Sequence, residues 1–109
     1  MSAPTFALAA LGNDILGSVR VGDKLLVTAE CEVEHNSPCE GLALSEVAQR
    51  YRVIVVTHRS RSGPIEVAPP PRTPLRAGDR LAIQGSIDAI AEARAAMRDE
   101  ALHRLRTDH

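Results

Sequence analysis

From Thr28 to Glu34 the chain alternates without a break: Ala29, Cys31 and Val33 fall on one side, Thr28, Glu30, Glu32 and Glu34 on the other. A period of two predicts a half-buried strand with one wet face. Upstream, Ile15-Leu16 and Val19 carry β signals, and Val21-Gly22-Asp23-Lys24 reads as a turn into Leu25-Leu26-Val27. Val53-Ile54-Val55-Val56 is the most apolar run of the chain. Consecutive aliphatic, mostly β-branched side chains predict a central strand buried on both faces, the hub of the core. Ile65-Glu66-Val67 predicts a three-residue strand, and Arg80 to Gly85 an alternating one with Leu81 and Ile83 on one face. The four prolines between Ala68 and Pro74 exclude that stretch from any sheet interior.

Helical spacing takes over elsewhere. Leu42, Leu44, Val47, Ala48 and Tyr51 predict a helix over 42–51. Ser86 is placed as an N-cap with Asp88 in the first turn, and Ile90, Met97, Ala101 and Leu105 recur at helical period. A helix over 86–97 follows, with a Glu100–Arg104 pair in a polar extension. Residues 2–11 read as a short helix, capped by Ser2 and stopped by Gly12-Asn13, too short to stand alone. The order α, β, β, α, β, β, β, α predicts an α+β fold: a small mixed sheet of about four to five strands, helices at 42–51 and 86–97, and a short N-terminal helix.

Composition narrows what such a fold does. A length of 109 residues suits one domain, and a formal charge of −1 leaves no basic footprint for nucleic acid. Phe6 and Tyr51 are the only aromatic residues, so stacking platforms for single strands are absent. No apolar run approaches the ~20 residues that span a bilayer, and no basic n-region opens the chain as in a signal peptide. Cys31 and Cys39 are too few for a disulfide framework and match no zinc spacing, which predicts reduced thiols and a cytoplasmic setting. Cys31 lies on the apolar strand face as a small hydrophobe, while Cys39 falls in a loop, where exposure is expected.

Nucleotide-phosphate loops and H-E-x-x-H are absent, and the histidines at 35, 58, 103 and 109 are scattered. The domain is therefore read as non-catalytic. Two charged groups remain. Glu30, Glu32 and Glu34 set carboxylates along one strand face within ~7 Å of each other, a weak candidate for a hard divalent ion. The simpler reading is a solvated face whose acids pair with arginines. Arg50, Arg52, Arg59 and Arg61 flank the apolar run and suit an anion, or else serve as partners of those glutamates. A competing reading makes the chain a small metal-binding or enzymatic domain that uses the stripe with Cys31 or His35. A swapped-hairpin DNA-binding module is a third, which the net charge disfavours.

Leu75-Arg76-Ala77-Gly78-Asp79-Arg80-Leu81-Ala82-Ile83-Gln84-Gly85-Ser86 resembles the closing motif of the RCK_C (TrkA-C) domain, L-x-x-G-D-x-L-x-x-x-G before a helix. Ser37 to Gly41 with Leu44-Ser45-Glu46-Val47 is similar to that family's opening, and Val53 to Arg59 to its V-x-V-V-A-I-x-R strand. The resemblance covers residues from about 27 to 96. Physical reasons support it: Gly78 is suited to a turn at φ > 0, Asp79 to bonding turn amides, and Gly85-Ser86 to the switch from strand to helix. Gly41, Gly78, Asp79 and Gly85 form the fold motif.

The resemblance implies more. Residues 1–22 correspond to the linking helix and strand that follow a Rossmann-type domain, 23–98 to the RCK_C-like domain, and 99–109 to a polar tail. The function implied is regulation of a potassium or other cation transport protein by a dimerising, ligand-sensing module. The partners implied are a second copy and, through the full-length protein, a membrane transporter or channel subunit, with no nucleic acid and no direct membrane insertion. The location is cytoplasmic, peripheral to the transporter. No cofactor is assigned to this stretch; a nucleotide or a divalent cation is the ligand class. The contacts expected at the subunit interface are Arg50, Arg52, Thr57, His58, Arg59 and Arg61, with the 2–11 helix packing there too. Between Val47 and Val53 lie only Ala48-Gln49-Arg50-Tyr51-Arg52, a shorter connection than in members that bind cyclic di-AMP.

Overall fold

The computed structural model describes residues 15–98. The helix expected over 2–11 and the polar extension beyond 98 lie outside them. Strand β1, Ile15–Val21, turns through Gly22-Asp23 into β2, Lys24–Glu32. Helix α1, Leu44–Tyr51, leads to β3, Ile54–Arg59, and β4, Ile65–Val67. Strand β5, Arg80–Gly85, and helix α2, Ile87–Ala96, complete the order. Each of these elements was expected, to within two residues at most ends. The caps explain two of the boundaries: the Glu46 carboxylate accepts from the Ala43 N–H at 3.1 Å, and the Ser86 hydroxyl accepts from the Ala89 N–H at 3.2 Å.

The sheet has five strands in the order β1-β2-β5-β3-β4. The α+β class and the strand number agree with expectation, but the mixed pairing does not: every neighbouring pair is antiparallel. The reason is topological. β2 and β3 run the same way with α1 between them in sequence, and β5 enters the slot between them antiparallel to both.

That insertion also corrects the placing of the core. β5, not β3, is the central strand, and its Leu81, Ala82 and Ile83 are all buried. On β3, Val53 just before the strand is buried, yet Ile54 is 62% exposed and Val55 and Val56 are half-buried. Four aliphatic residues in a row do not make a strand buried on both faces here, because among the described residues helices cover only one. α2 packs against β2 and β5, α1 against β3, and the two helices against each other.

The register fixes which side chains meet those helices. Val27, Ala29 and Cys31 of β2 lie beside Gly85, Ile83 and Leu81 of β5, and all but Gly85 are buried. With Val33, Leu44, Val47, Leu75, Ile90 and Met97 they form the core. Cys39 joins it at 0% exposure, so the exposure expected of its loop is corrected. Backbone bonds hold that loop down: the Cys39 N–H donates to the Ala96 carbonyl at 3.0 Å and the Glu34 N–H to the Met97 carbonyl at 2.8 Å. Burial pushes the Cys39 thiol above its ordinary pKa, with the Tyr51 hydroxyl and Arg50 pulling the other way. Neither cysteine is in a disulfide.

Candidate functional site

The opposite face of the sheet carries no helix among the described residues. Its rows follow from the same register: Val19 beside Leu26; Thr28, Gln84 and Ile54; then Glu30, Ala82, Thr57 and Val67; then Glu32, Arg80, Arg59 and Ile65. The alternation of β2 therefore reads correctly, with its glutamates on this open face. The face is apolar at both flanks. Val19, Val21, Ile54, Ile65 and Val67 are 49% to 76% exposed.

Charge fills its far end. Arg80 Nη1 lies 3.1 Å from Glu30 Oε1 and its Nη2 3.3 Å from Glu32 Oε1. The acids do pair with an arginine, but with Arg80 rather than the Arg50, Arg52, Arg59 and Arg61 group. The signal was present: Arg80 alternates with Leu81 and Ile83, and so stands on the wet face of the neighbouring strand. A guanidinium spanning two of the carboxylates leaves them poorly suited to a metal, and no group of three or more metal-ligating side chains converges among the described residues. His35, the other half of that reading, pairs with Glu40 at 3.4 Å.

The six expected ligand contacts do not form one cluster. Arg50 and Arg52 close α1, where Arg52 takes the left-handed C-cap at φ 57°. They line a groove with Ser86 and Asp88 at the start of α2. Thr57 and Arg59 stand on the open face. Arg61 follows β3, its stem lying over Gly78. His58 points the other way. It is 5% exposed, and its Nε2 meets Asp79 Oδ2 at 2.9 Å.

That pair rests on the fold motif. Gly78 holds φ +92° as expected of it, and the Asp79 carboxylate accepts the Arg76 N–H at 3.1 Å. The turn is tied back to β2 by bonds of the Gly78 N–H to the Val33 carbonyl and the Val33 N–H to the Asp79 carbonyl. Gly41 also takes positive φ. At Gly85 a Cβ would stand 3.3 Å from the Arg52 carbonyl oxygen, so a side chain there would crowd the strand-to-helix switch. Sequence reading found the Asp79 turn but not its buried histidine partner, since nothing local links residues 21 positions apart.

The TrkA-C domain profile matches residues 28–98, more than half of the chain. This chain belongs to the TrkA-C family. Solved structures share the TrkA-C (RCK_C) fold. The RCK_C domain dimer of S. agalactiae BusR in complex with c-di-AMP is 22% identical, with a TM-score of 0.58 over 70% of this chain and 95% of that one. S. agalactiae BusR in complex with its busAB-promotor DNA is 21% identical, TM-score 0.57, over 68% of this chain and 37% of that one. The GsuK RCK domain is 19% identical, TM-score 0.55, over 84% of this chain and 21% of that one. The chain thus spans about a third and a fifth of the two longer proteins. No curated protein matches it. Its fold is that of a regulatory domain, and no helix among the described residues is long and apolar enough to cross a membrane.

Proposed function

We propose that this TrkA-C domain is a dimerising regulatory module that reads a small anionic ligand at its subunit interface, within a protein that governs potassium or another cation's transport. The observation that carries the reading is the bare sheet face, where exposed apolar residues and an arginine without a carboxylate partner share one surface. Val19, Ile54, Ile65 and Val67 supply area that water opposes and a second copy covers. Arg59 stands among them, with no carboxylate in ion-pair range among the described residues. Its planar fork suits a phosphate diester, and Thr57 adds a hydroxyl on the same face. The dimeric, c-di-AMP-bound BusR domain lends support to a nucleotide as the ligand class. Arg50 and Arg52 form a second, separate patch at the end of α1.

Thermal shift and calorimetry with cyclic di-AMP and with linear nucleotides test this. A nucleotide that raises the melting temperature in wild type and fails to do so in Arg59→Ala supports the interface site. Binding lost instead in the Arg50→Ala/Arg52→Ala double variant moves the site to the α1 end. No nucleotide binding at millimolar concentration removes the nucleotide reading.

A further inference from the structure

His58 is the one buried histidine among the described residues, and the fold motif accounts for only one of its nitrogens. Nε2 is spent on Asp79 at 2.9 Å, and Asp79 is itself 4% exposed. Nδ1 is buried and has no hydrogen-bond partner. It faces the Glu66 carboxylate of β4 across a gap of 3.9 Å. The register explains the meeting, because His58 and Glu66 are directly opposed in the β3–β4 ladder and share the core-side face.

Protonation reverses the sense of that contact. In the neutral ring, with the Nε2 proton donated to Asp79, Nδ1 presents a lone pair to a carboxylate, and the two repel. In the imidazolium, Nδ1 becomes an N–H donor aimed at the same carboxylate. Other charges facing the ring are accounted for. On β5 the residue opposite is apolar Leu81, while Arg59 and Arg80 stand on the other face of the sheet. On α1, Glu46 is engaged with the Ala43 N–H and Arg50 with Tyr51. Arg61 reaches Gly78 through its stem.

We propose that His58 is a proton-operated latch that fastens the edge strand β4 to the Arg76–Asp79 turn. β4 has little else to hold it. Its three residues are all exposed, and it pairs on one side only. What the latch holds reaches further than β4. The strand runs into the 68–74 strap, whose Pro71 and Thr73 carbonyls accept the Ser45 and Leu44 N–H groups at the start of α1. Protonation of the ring therefore stiffens β4 and, through the strap, the entry to α1. The device is independent of any nucleotide.

Amide hydrogen exchange of the whole chain, expressed as protection factors so that intrinsic pH dependence is removed, tests it at pH 8 and pH 5.5. The expected result is a rise of roughly two- to fivefold in β4 protection at the lower pH, the span of a partly exposed ion pair. The β2–β5 ladder should not change. Glu66→Gln, at a half-exposed side chain, keeps the fold and should abolish the rise. Imidazole nitrogen spectra should place the proton of the neutral ring on Nε2. Equal β4 protection at both pH values, a response that survives Glu66→Gln, or a neutral ring protonated on Nδ1 would each overturn the latch.

Discussion

Gly78 is the residue that most constrains the motif turn. At φ +92° an L side chain is strained, and a Cβ there would stand 3.1 Å from Arg61 Cδ. Gly78→Ala should cost about 1–2 kcal/mol in denaturant unfolding. Arg80→Ala should cost less than about 1 kcal/mol, since all three groups of its ion-pair network are about half exposed. Cys39 makes a pH prediction. Its thiol is held above the ordinary 9.0 by burial, so the folded state keeps its proton where the unfolded chain releases it. Its contribution is whole below pH 9 and falls as pH rises beyond, and Tyr51, shifted the same way, adds to the loss. Stability should decline as pH rises above 9, and the decline should be shallower in Cys39→Ala. The Gly78, Asp79 and Ser86 roles were legible because turns and caps are local chemistry. The His58–Asp79 pair was not, because only the packing of β3 against β5 brings the two together.

At the scale of elements, β3 is informative. Val55 lies beside Ile83 on the helix-covered face and packs on the core, whereas Ile54 lies beside Gln84 on the open face. Val55→Asp should unfold the domain, because it buries an unpaired charge. Ile54→Asp should keep the monomer's fold within about 1 kcal/mol. Equal melting losses in the two would contradict the facing assigned from the register. Helix α2 depends on its cap, so Ser86→Ala should cost about 1 kcal/mol. Element identities were readable from period and turn chemistry. At β3 an apolar run does not by itself imply two covered faces. Such a run also results when one face is core and the other is bare.

For the whole molecule, a five-stranded sheet with helices on one side leaves an apolar surface that no helix covers among the described residues. Sedimentation equilibrium at micromolar concentration should give about twice 11.7 kDa. Ile54→Asp and Val67→Asp should each shift the equilibrium toward monomer while leaving the circular dichroism spectrum unchanged. A monomeric wild type at high concentration would end the pairing proposal.

Alternation along β2 and β5, the caps, and the Gly78-Asp79 turn were written in the order of residues. Each depends on neighbours a few positions apart, and this was enough to name the elements, the α+β class and the family resemblance. Strand order was not written there. Whether β3 or β5 takes the centre depends on which strand fills the slot between β2 and β3, a matter of contacts among residues some fifty positions apart in the β2–β5 register. From that single placement follow the bare face with Arg59, the Arg80 bridge to Glu30 and Glu32, and the burial of His58 between Asp79 and Glu66. These are the features on which the proposed functions rest. They arise from tertiary packing because a sheet brings together residues that no local pattern connects.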